Sequence, residues 1–349
     1  SHFKLGKNIA VTPGQLIYKN ELIELIEYTP TTKTLHSIPV LFVPPIINKF
    51  YILDLNKEKS MIGYLVNKGY RVFCISWVNP DAGFRHYSME DYIERGIYSA
   101  SRQVMEHTEK AHVHPVGYCV GGTLLTMAMA MAESVAPDVQ FKGGTFFATL
   151  LDFDDPGELT MFVSEDQLRG VDAGNQLRGY YDGRYMMNTF SLLQSDNLIW
   201  PNIIENYMKG TRPKPFDILF WNQDTTNISE TFYREYVRQC YIRNALCKGQ
   251  MRLFGRPVDL SNISTDIYCV GCKKDHIVLW SSALLMGKYC NNASVEFVLS
   301  DGGHVMGVIQ GAKANPKKKK VFWTNESVEY NSQQWIDSAQ EHTGHWWPH

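Results

Sequence analysis

Gly117-Tyr118-Cys119-Val120-Gly121-Gly122 decides the reading of this chain. A short apolar run at 113–117 precedes it and a helical pattern over 120–133 follows, so the hexapeptide sits at a strand-to-helix turn. It has the form of the nucleophile elbow G-x-S-x-G, with Cys119 where serine would stand. Such an elbow strains its central residue, and small residues around it let strand and helix approach. The thiol is thereby lifted out of the sheet, and the Val120 N–H at the helix start can face a developing oxyanion. The competing reading is a buried structural cysteine in a glycine-rich turn.

Outward from the elbow, strand and helix patterns alternate. Strands are predicted at 38–44, 70–77, 113–117 and 141–151, with helices at 61–68, 89–106 and 120–133, the first ended by Gly69. Alternation of this kind predicts a mostly parallel sheet flanked by helices on both faces. From 152 to 249 the pattern changes to turn clusters, at 154–157 and 210–213, between aromatic-rich segments. Alternation resumes with a strand at 266–271, a helix at 281–289 and a strand at 294–299. The expected architecture is an α/β-hydrolase core, 1–151 and 250–349, interrupted by an inserted cap (lid) at 152–249.

Two further residues complete the nucleophile, acid, base order of α/β hydrolases. Asp275 follows the predicted strand 267–271, and His304 lies in the loop after the strand 294–299. Asp301 is close to His304 in sequence, but its glycine-rich surroundings make it a turn residue, and Asp275 is the preferred acid. His276 adjoins Asp275 and is expected to support the loop rather than act as the base. His112 and His114 fall near the strand before the elbow and read as packed or at the sheet end. Cys269 and Cys272 form a single CxxC inside an apolar run, which favours a structural role over zinc or redox chemistry. No metal constellation stands out.

Composition limits the alternatives. With 34 Lys and Arg against 36 Asp and Glu, the net charge of −2 offers no footprint for nucleic acid. A hydrophobic fraction of 44% supports a sizeable core. No apolar run reaches the ~18 to 20 residues a spanning helix needs. Aromatic residues make up 13% of the chain, enough to line an apolar site as well as a core. Seven cysteines, an odd number, fit reduced thiols in the cytoplasm. The lysines at 317–320 read as a solvated loop. The opening Ser1-His2, without Met or signal peptide, reads as a trimmed start with sequence missing upstream.

An ordered set of motifs carries a resemblance across almost the whole chain, from Asn8-Ile-Ala-Val-Thr-Pro-Gly14 onward. It comprises Gly117-Tyr-Cys119-Val-Gly-Gly-Thr123, Phe147-Ala-Thr-Leu-Leu-Asp152-Phe153, Pro215-Phe-Asp-Ile-Leu-Phe-Trp221-Asn-Gln-Asp224, Asp275-His276-Ile-Val278, Ser300-Asp-Gly-Gly-His304 and Trp346-Trp347-Pro348. Together they resemble the polyhydroxyalkanoate (PHA) synthases, most of all the catalytic domain of the single-polypeptide, short-chain (class I) kind. Leu279 departs from that pattern, where the family commonly has proline.

The resemblance implies a Cys119–His304–Asp275 triad that transfers (R)-3-hydroxyacyl groups, 3-hydroxybutyryl above all, from coenzyme A to a growing polyester. It implies no cofactor, since CoA is the leaving group. It also implies a homodimer at the surface of cytoplasmic PHA granules, and an N-terminal domain beyond this sequence. Oxyanion donors are expected from Val120 N–H and the loop 44–48, with Ile47 as the candidate; Trp221 and the aromatic cap are candidates for shielding a thioester from water. The triad alone would also permit a cysteine-dependent hydrolase, such as a thioesterase or a dienelactone-hydrolase-like enzyme. A non-catalytic granule-coat protein is the reading from another class.

Overall fold

The computed structural model, which describes residues 2–158, 165–193, 217–311 and 319–349, is organised around one ten-stranded sheet. Its strands in chain order are β1 (Gly14–Lys19), β2 (Ile23–Tyr28), β3 (Val40–Val43), β4 (Val72–Trp77), β5 (His114–Tyr118), β6 (Gly144–Phe147), β7 (Ile267–Cys272), β8 (Val295–Ser300), β9 (Val321–Thr324) and β10 (Gln340–Thr343). They are arranged β1-β2-β4-β3-β5-β6-β7-β8-β9-β10. In that arrangement the six strands from β4 to β8 are parallel, and most of their residues are buried. Leu41, Phe42, Phe73, Val270 and Leu299 are completely buried there. Register places Val43 beside Gly117 and Gly117 beside Phe146, so the elbow ends a central strand.

Both edges differ from the simple alternation. β1 and β2 form an antiparallel hairpin, β2 pairs antiparallel with β4, and β9 and β10 close the other edge in the same way. The predicted strand 141–151 shrinks to β6. Ala148, at φ 46°, turns the chain out of the sheet while its N–H still donates to Val270 O at 2.9 Å. Beyond it Leu150 is buried as cavity wall and Leu151 in the core, neither as strand. The predicted helix 281–289 is two short turns, Trp280–Ala283 and Met286–Tyr289. The helix from Met89 continues to Thr108 and is π-type over Tyr92–Tyr98. Leu279 has φ −60°, the value a proline ring imposes, so its departure from the PHA-synthase pattern leaves the backbone unchanged.

Between β6 and β7 the described chain is largely helical. It contains Glu165–Arg178, Gly183–Leu193, Asp217–Gln223 and Glu230–Tyr236, the last running on into a π-helix, Val237–Ile242. The turn predicted at 210–213 and the motif residues Pro215 and Phe216 lie outside the described residues. Where this excursion begins and ends, its two limbs are clasped. Asn244 Nδ2 donates to Asp152 Oδ1 at 2.8 Å, Phe153 N–H donates to Asn244 Oδ1 at 2.8 Å, and the Tyr289 hydroxyl donates to the other Asp152 oxygen. Burial would raise the Asp152 carboxyl, but the bonds from Tyr289 and Asn244 outweigh it and hold the group below the usual carboxylate range.

One surface reading needs correction. Lys313, Lys317 and Lys318 lie outside the described residues, but Lys320 is not a freely solvated side chain. It is half-buried, and its ammonium donates to Gln310 O at 3.2 Å and to Gly311 O. Among the described residues, no helix is long and apolar enough to cross a membrane.

Candidate active site

The elbow has the geometry its spelling predicts. Cys119 sits at φ 53° and ψ −121°, a region few side-chain-bearing residues occupy, and caps the helix Val120–Val135. The glycines make that turn possible. A Cβ on Gly117 would stand 2.5 Å from Gly122 Cα, one on Gly121 would penetrate Val43 O and Pro44 O, and one on Gly122 would penetrate Thr149 Oγ1. The helix start is therefore pressed against both the loop after β3 and the chain leaving β6. Replacing Gly121 with Ala should destabilise the chain by about 2 to 3 kcal/mol, because neither carbonyl can swing away. Urea unfolding of the two proteins measures this; equal midpoints would contradict the close approach.

Asp275 and His304 lie just beyond β7 and β8, at the carboxyl end of the parallel sheet where β5 delivers Cys119. His304 Nδ1 and Asp275 Oδ2 are 2.7 Å apart, and both residues are buried. The second Asp275 oxygen accepts the N–H groups of Ile277 at 2.8 Å and Val278 at 2.9 Å, which fixes the carboxylate. Burial alone would push the His304 imidazole down. The charges of Asp275 and Cys119, with hydrogen bonds to both, outweigh that and hold it well above its ordinary value. The structure thus brings together the three residues singled out from the sequence.

The rival residues are placed elsewhere. Asp301 forms an ion pair with Lys274 at 3.2 Å. His276 is exposed, and its backbone carbonyl accepts from Glu158 N–H, so its structural contribution is through the main chain. His114 contacts Lys142 O and Thr145 Oγ1 at the start of β5, and burial lowers its pKa. Cys269 and Cys272 are fully buried in β7, where burial raises both thiols. All seven cysteines are free thiols. Among the described residues, no group of three or more His, Cys, Asp or Glu side chains could hold a metal ion.

Cys119 opens into an internal cavity of about 80 Å³. Ile46, Ile47 and Val120 form one wall, and Leu150, Phe153, Tyr236, Tyr241 and Val278 contribute to the rest. Val120 and Ile47, the candidate oxyanion residues, therefore share the space in front of the thiol. Burial keeps the Tyr236 and Tyr241 hydroxyls protonated, so they can only be neutral hydrogen-bonding groups in a chamber lined mainly by apolar side chains.

Trp221 does not line this cavity; its position is one layer back. Its indole N–H donates to Lys49 O at 2.8 Å, directly behind the Ile46–Ile47 wall. Thr226 N–H donates to Ile47 O at 3.0 Å, and the Tyr51 hydroxyl donates to Asp224 Oδ2 at 2.7 Å. The segment 221–226 thus grips the loop after β3 at three points. No spacing rule announces such a grip, although the Trp-Asn-Gln-Asp motif marks the segment. Replacing Trp221 with Phe leaves Lys49 O without that donor, and should reduce acyl transfer about tenfold while melting falls only modestly. That is less than the ~3 kcal/mol lost with an entire oxyanion donor. Unchanged transfer in W221F would show that the grip does not set the loop.

A cysteine elbow, a buried His–Asp pair at the same sheet end and a chamber in front of the thiol are the arrangement of an α/β-hydrolase fold. Family comparison agrees: residues 39–308 match the alpha/beta hydrolase fold model, and the chain belongs to that fold family. Solved relatives share the fold at low identity. A hydrolase from Pseudomonas aeruginosa superposes with a TM-score of 0.52 at 12% identity, covering 84% of this chain and 92% of its own. A carboxyl esterase from Bacillus coagulans gives 0.50 at 12%, covering 82% and 90%.

Within that fold, the chain resembles the polyhydroxyalkanoate polymerases along its whole length. Residues 1–65 match the model described as the poly-beta-hydroxybutyrate polymerase (PhaC) N-terminus. A poly(3-hydroxyalkanoate) polymerase of Methylorubrum extorquens is 40% identical over 100% of this chain and 57% of its own. The polymerase subunit PhaC of Rhizobium meliloti is 40% identical, with 100% and 56% covered, and that of Cupriavidus necator 39%, with 100% and 59%. The chain spans a little over half the length of these relatives.

Proposed function

We propose that this chain is the catalytic part of a PHA synthase, which polymerises (R)-3-hydroxyacyl-CoA, with 3-hydroxybutyryl-CoA as the expected substrate, and releases CoA. The observation that carries the proposal is the similarity, along the whole of this chain, to poly(3-hydroxyalkanoate) polymerases, combined with a cysteine at the elbow. His304 takes the Cys119 proton, and the thiolate attacks the thioester carbonyl; CoA leaves as a thiol. The oxyanion is held by the Val120 N–H and an N–H of the loop at Ile47. The product of this step is a thioester on Cys119, close in energy to the acyl-CoA that formed it. A serine ester would lie lower and surrender the driving force for the next transfer.

Polymerisation follows when a 3-hydroxyl, deprotonated by His304 or Asp275, attacks that thioester. The C–S bond breaks, an ester C–O bond forms, and the thiolate is regenerated. The apolar chamber, with Phe153, Tyr236 and Tyr241 in its wall, supports this chemistry by limiting water. No cofactor enters the scheme. By the same reasoning the active species is a homodimer at the surface of a polyester granule in the cytoplasm, where reducing conditions keep the seven cysteines as thiols.

Incubation with 3-hydroxybutyryl-CoA tests the proposal. Free CoA together with insoluble polyester is expected. Free 3-hydroxybutyrate as the sole acyl product would replace polymerase by cysteine-dependent hydrolase, and no CoA release would remove catalysis altogether.

A further inference from the structure

We propose that Tyr118 is a positioning residue that registers the His304 imidazole against the Cys119 thiol, an inference that rests on the acyl-transfer reading of this site. Its hydroxyl donates to the His304 backbone oxygen at 2.6 Å, across 186 residues of sequence. Tyr118 is the last residue of β5 and the immediate neighbour of Cys119, so one end of this contact is covalently tied to the nucleophile.

His304 lies on a connection between β8 and the short helix Met306–Ile309, where no regular ladder fixes it. Asp275 holds the imidazole ring, while the other main-chain ties of this connection act on neighbouring residues. Lys274 N–H donates to Gly302 O at 2.9 Å, while Ser300 Oγ at 2.7 Å and Trp346 Nε1 at 2.8 Å both donate to Gly307 O. Tyr118 acts on the backbone of His304 itself. Its side chain is held by burial, with the Phe147 ring edge-on at 6.2 Å and the His304 ring 5.7 Å away. Loss of the hydroxyl leaves a buried carbonyl unsatisfied, and the loop must shift to solvate it. The imidazole moves with its own backbone. A displacement near 1 Å can cost about 10²-fold in rate.

The test compares wild type with Tyr118→Phe by two readouts, kcat against KM for 3-hydroxybutyryl-CoA and the pH profile of Cys119 alkylation by iodoacetamide. The titratable groups facing the imidazole are Cys119 and Asp275, and Cys272 lies near Tyr118. In Y118F, kcat is expected to fall about tenfold or more with KM little changed, and alkylation near neutral pH to slow. A merely structural hydroxyl would lower the melting temperature and leave the alkylation profile of the folded protein as it was. That second result, with unchanged kcat, overturns the proposal. Should Y118F not fold, 4-aminophenylalanine at 118 fills the same space with a weaker donor; slowed alkylation supports the role, and a wild-type rate overturns it. Alkylation does not require polymerisation. A wild-type chain that releases no CoA therefore refutes the proposed function while still judging Tyr118.

Discussion

Replacing Cys119 with alanine should abolish CoA release from 3-hydroxybutyryl-CoA, by at least about 10³-fold, the scale on which removal of a serine-protease nucleophile acts. Among the described residues of the chamber, no second nucleophile is paired with a base. Thr123, Tyr181, Thr189, Tyr233, Tyr236 and Tyr241 bring hydroxyl-bearing side chains to its wall, but none of them has a histidine corresponding to His304 among its described contacts. The fold should survive, because alanine fits the volume left by a buried thiol and the turn depends on its glycines instead. Melting within a few degrees of wild type, together with lost CoA release, is the expected pair of results. Release at an undiminished rate would remove Cys119 from the mechanism.

Replacing Asp275 with asparagine should have the second largest effect. The charge and hydrogen bond of Asp275 that raise the His304 pKa are lost, while burial still lowers it, so the amide can no longer hold a charged imidazolium. It also presents an N–H where Nδ1–H must be accepted, which selects the wrong tautomer; the corresponding change in serine proteases costs about 10⁴-fold in kcat. A loss of about 10² to 10⁴ in CoA release is expected here, and alkylation of Cys119 near neutral pH should slow in parallel. Stability carries the same signature. A histidine whose folded pKa lies above its unfolded value of about 6.5 stabilises fully below that value. The contribution is lost as pH rises through the folded value. The melting difference between wild type and D275N should therefore be largest in mildly acidic solution and narrow as the pH is raised. A difference that widens with pH would contradict the charged pair.

Why these residues were legible, and others not, has a physical basis. Cys119, Asp275 and His304 each lie just beyond the end of a largely buried parallel strand, and parallel strands deliver such ends to one edge of a sheet. The glycines around the elbow are forced by close backbone approach, so they are visible as spelling. The edge hairpin was harder. In β2, Ile23 and Leu25 alternate with Glu24, a period-two signal that could have been taken up, but β1 is mostly exposed and has little pattern to offer. Ala148 ends β6 through one positive φ that no apolar count registers. The bonds from Tyr118 to His304, from Trp221 to Lys49 and from Asn244 to Asp152 join residues 186, 172 and 92 positions apart. Such contacts exist only once the sheet is assembled. Trp346 and Trp347 stood out in sequence as a motif alone, and the structure gives them work: their indoles hold the Gly307 and Val308 carbonyls just after His304, both at 2.8 Å.

The central claim is that Cys119 carries the growing acyl chain as a thioester. Acid-quenching the chain during turnover of 3-hydroxybutyryl-CoA, digesting it and weighing the peptide that contains Cys119 tests this most directly. The account predicts one or more 3-hydroxybutyryl units on that peptide, released by neutral hydroxylamine and missing from C119A. An unmodified Cys119 peptide during active polymer synthesis, or acyl groups attached to another residue, would contradict it.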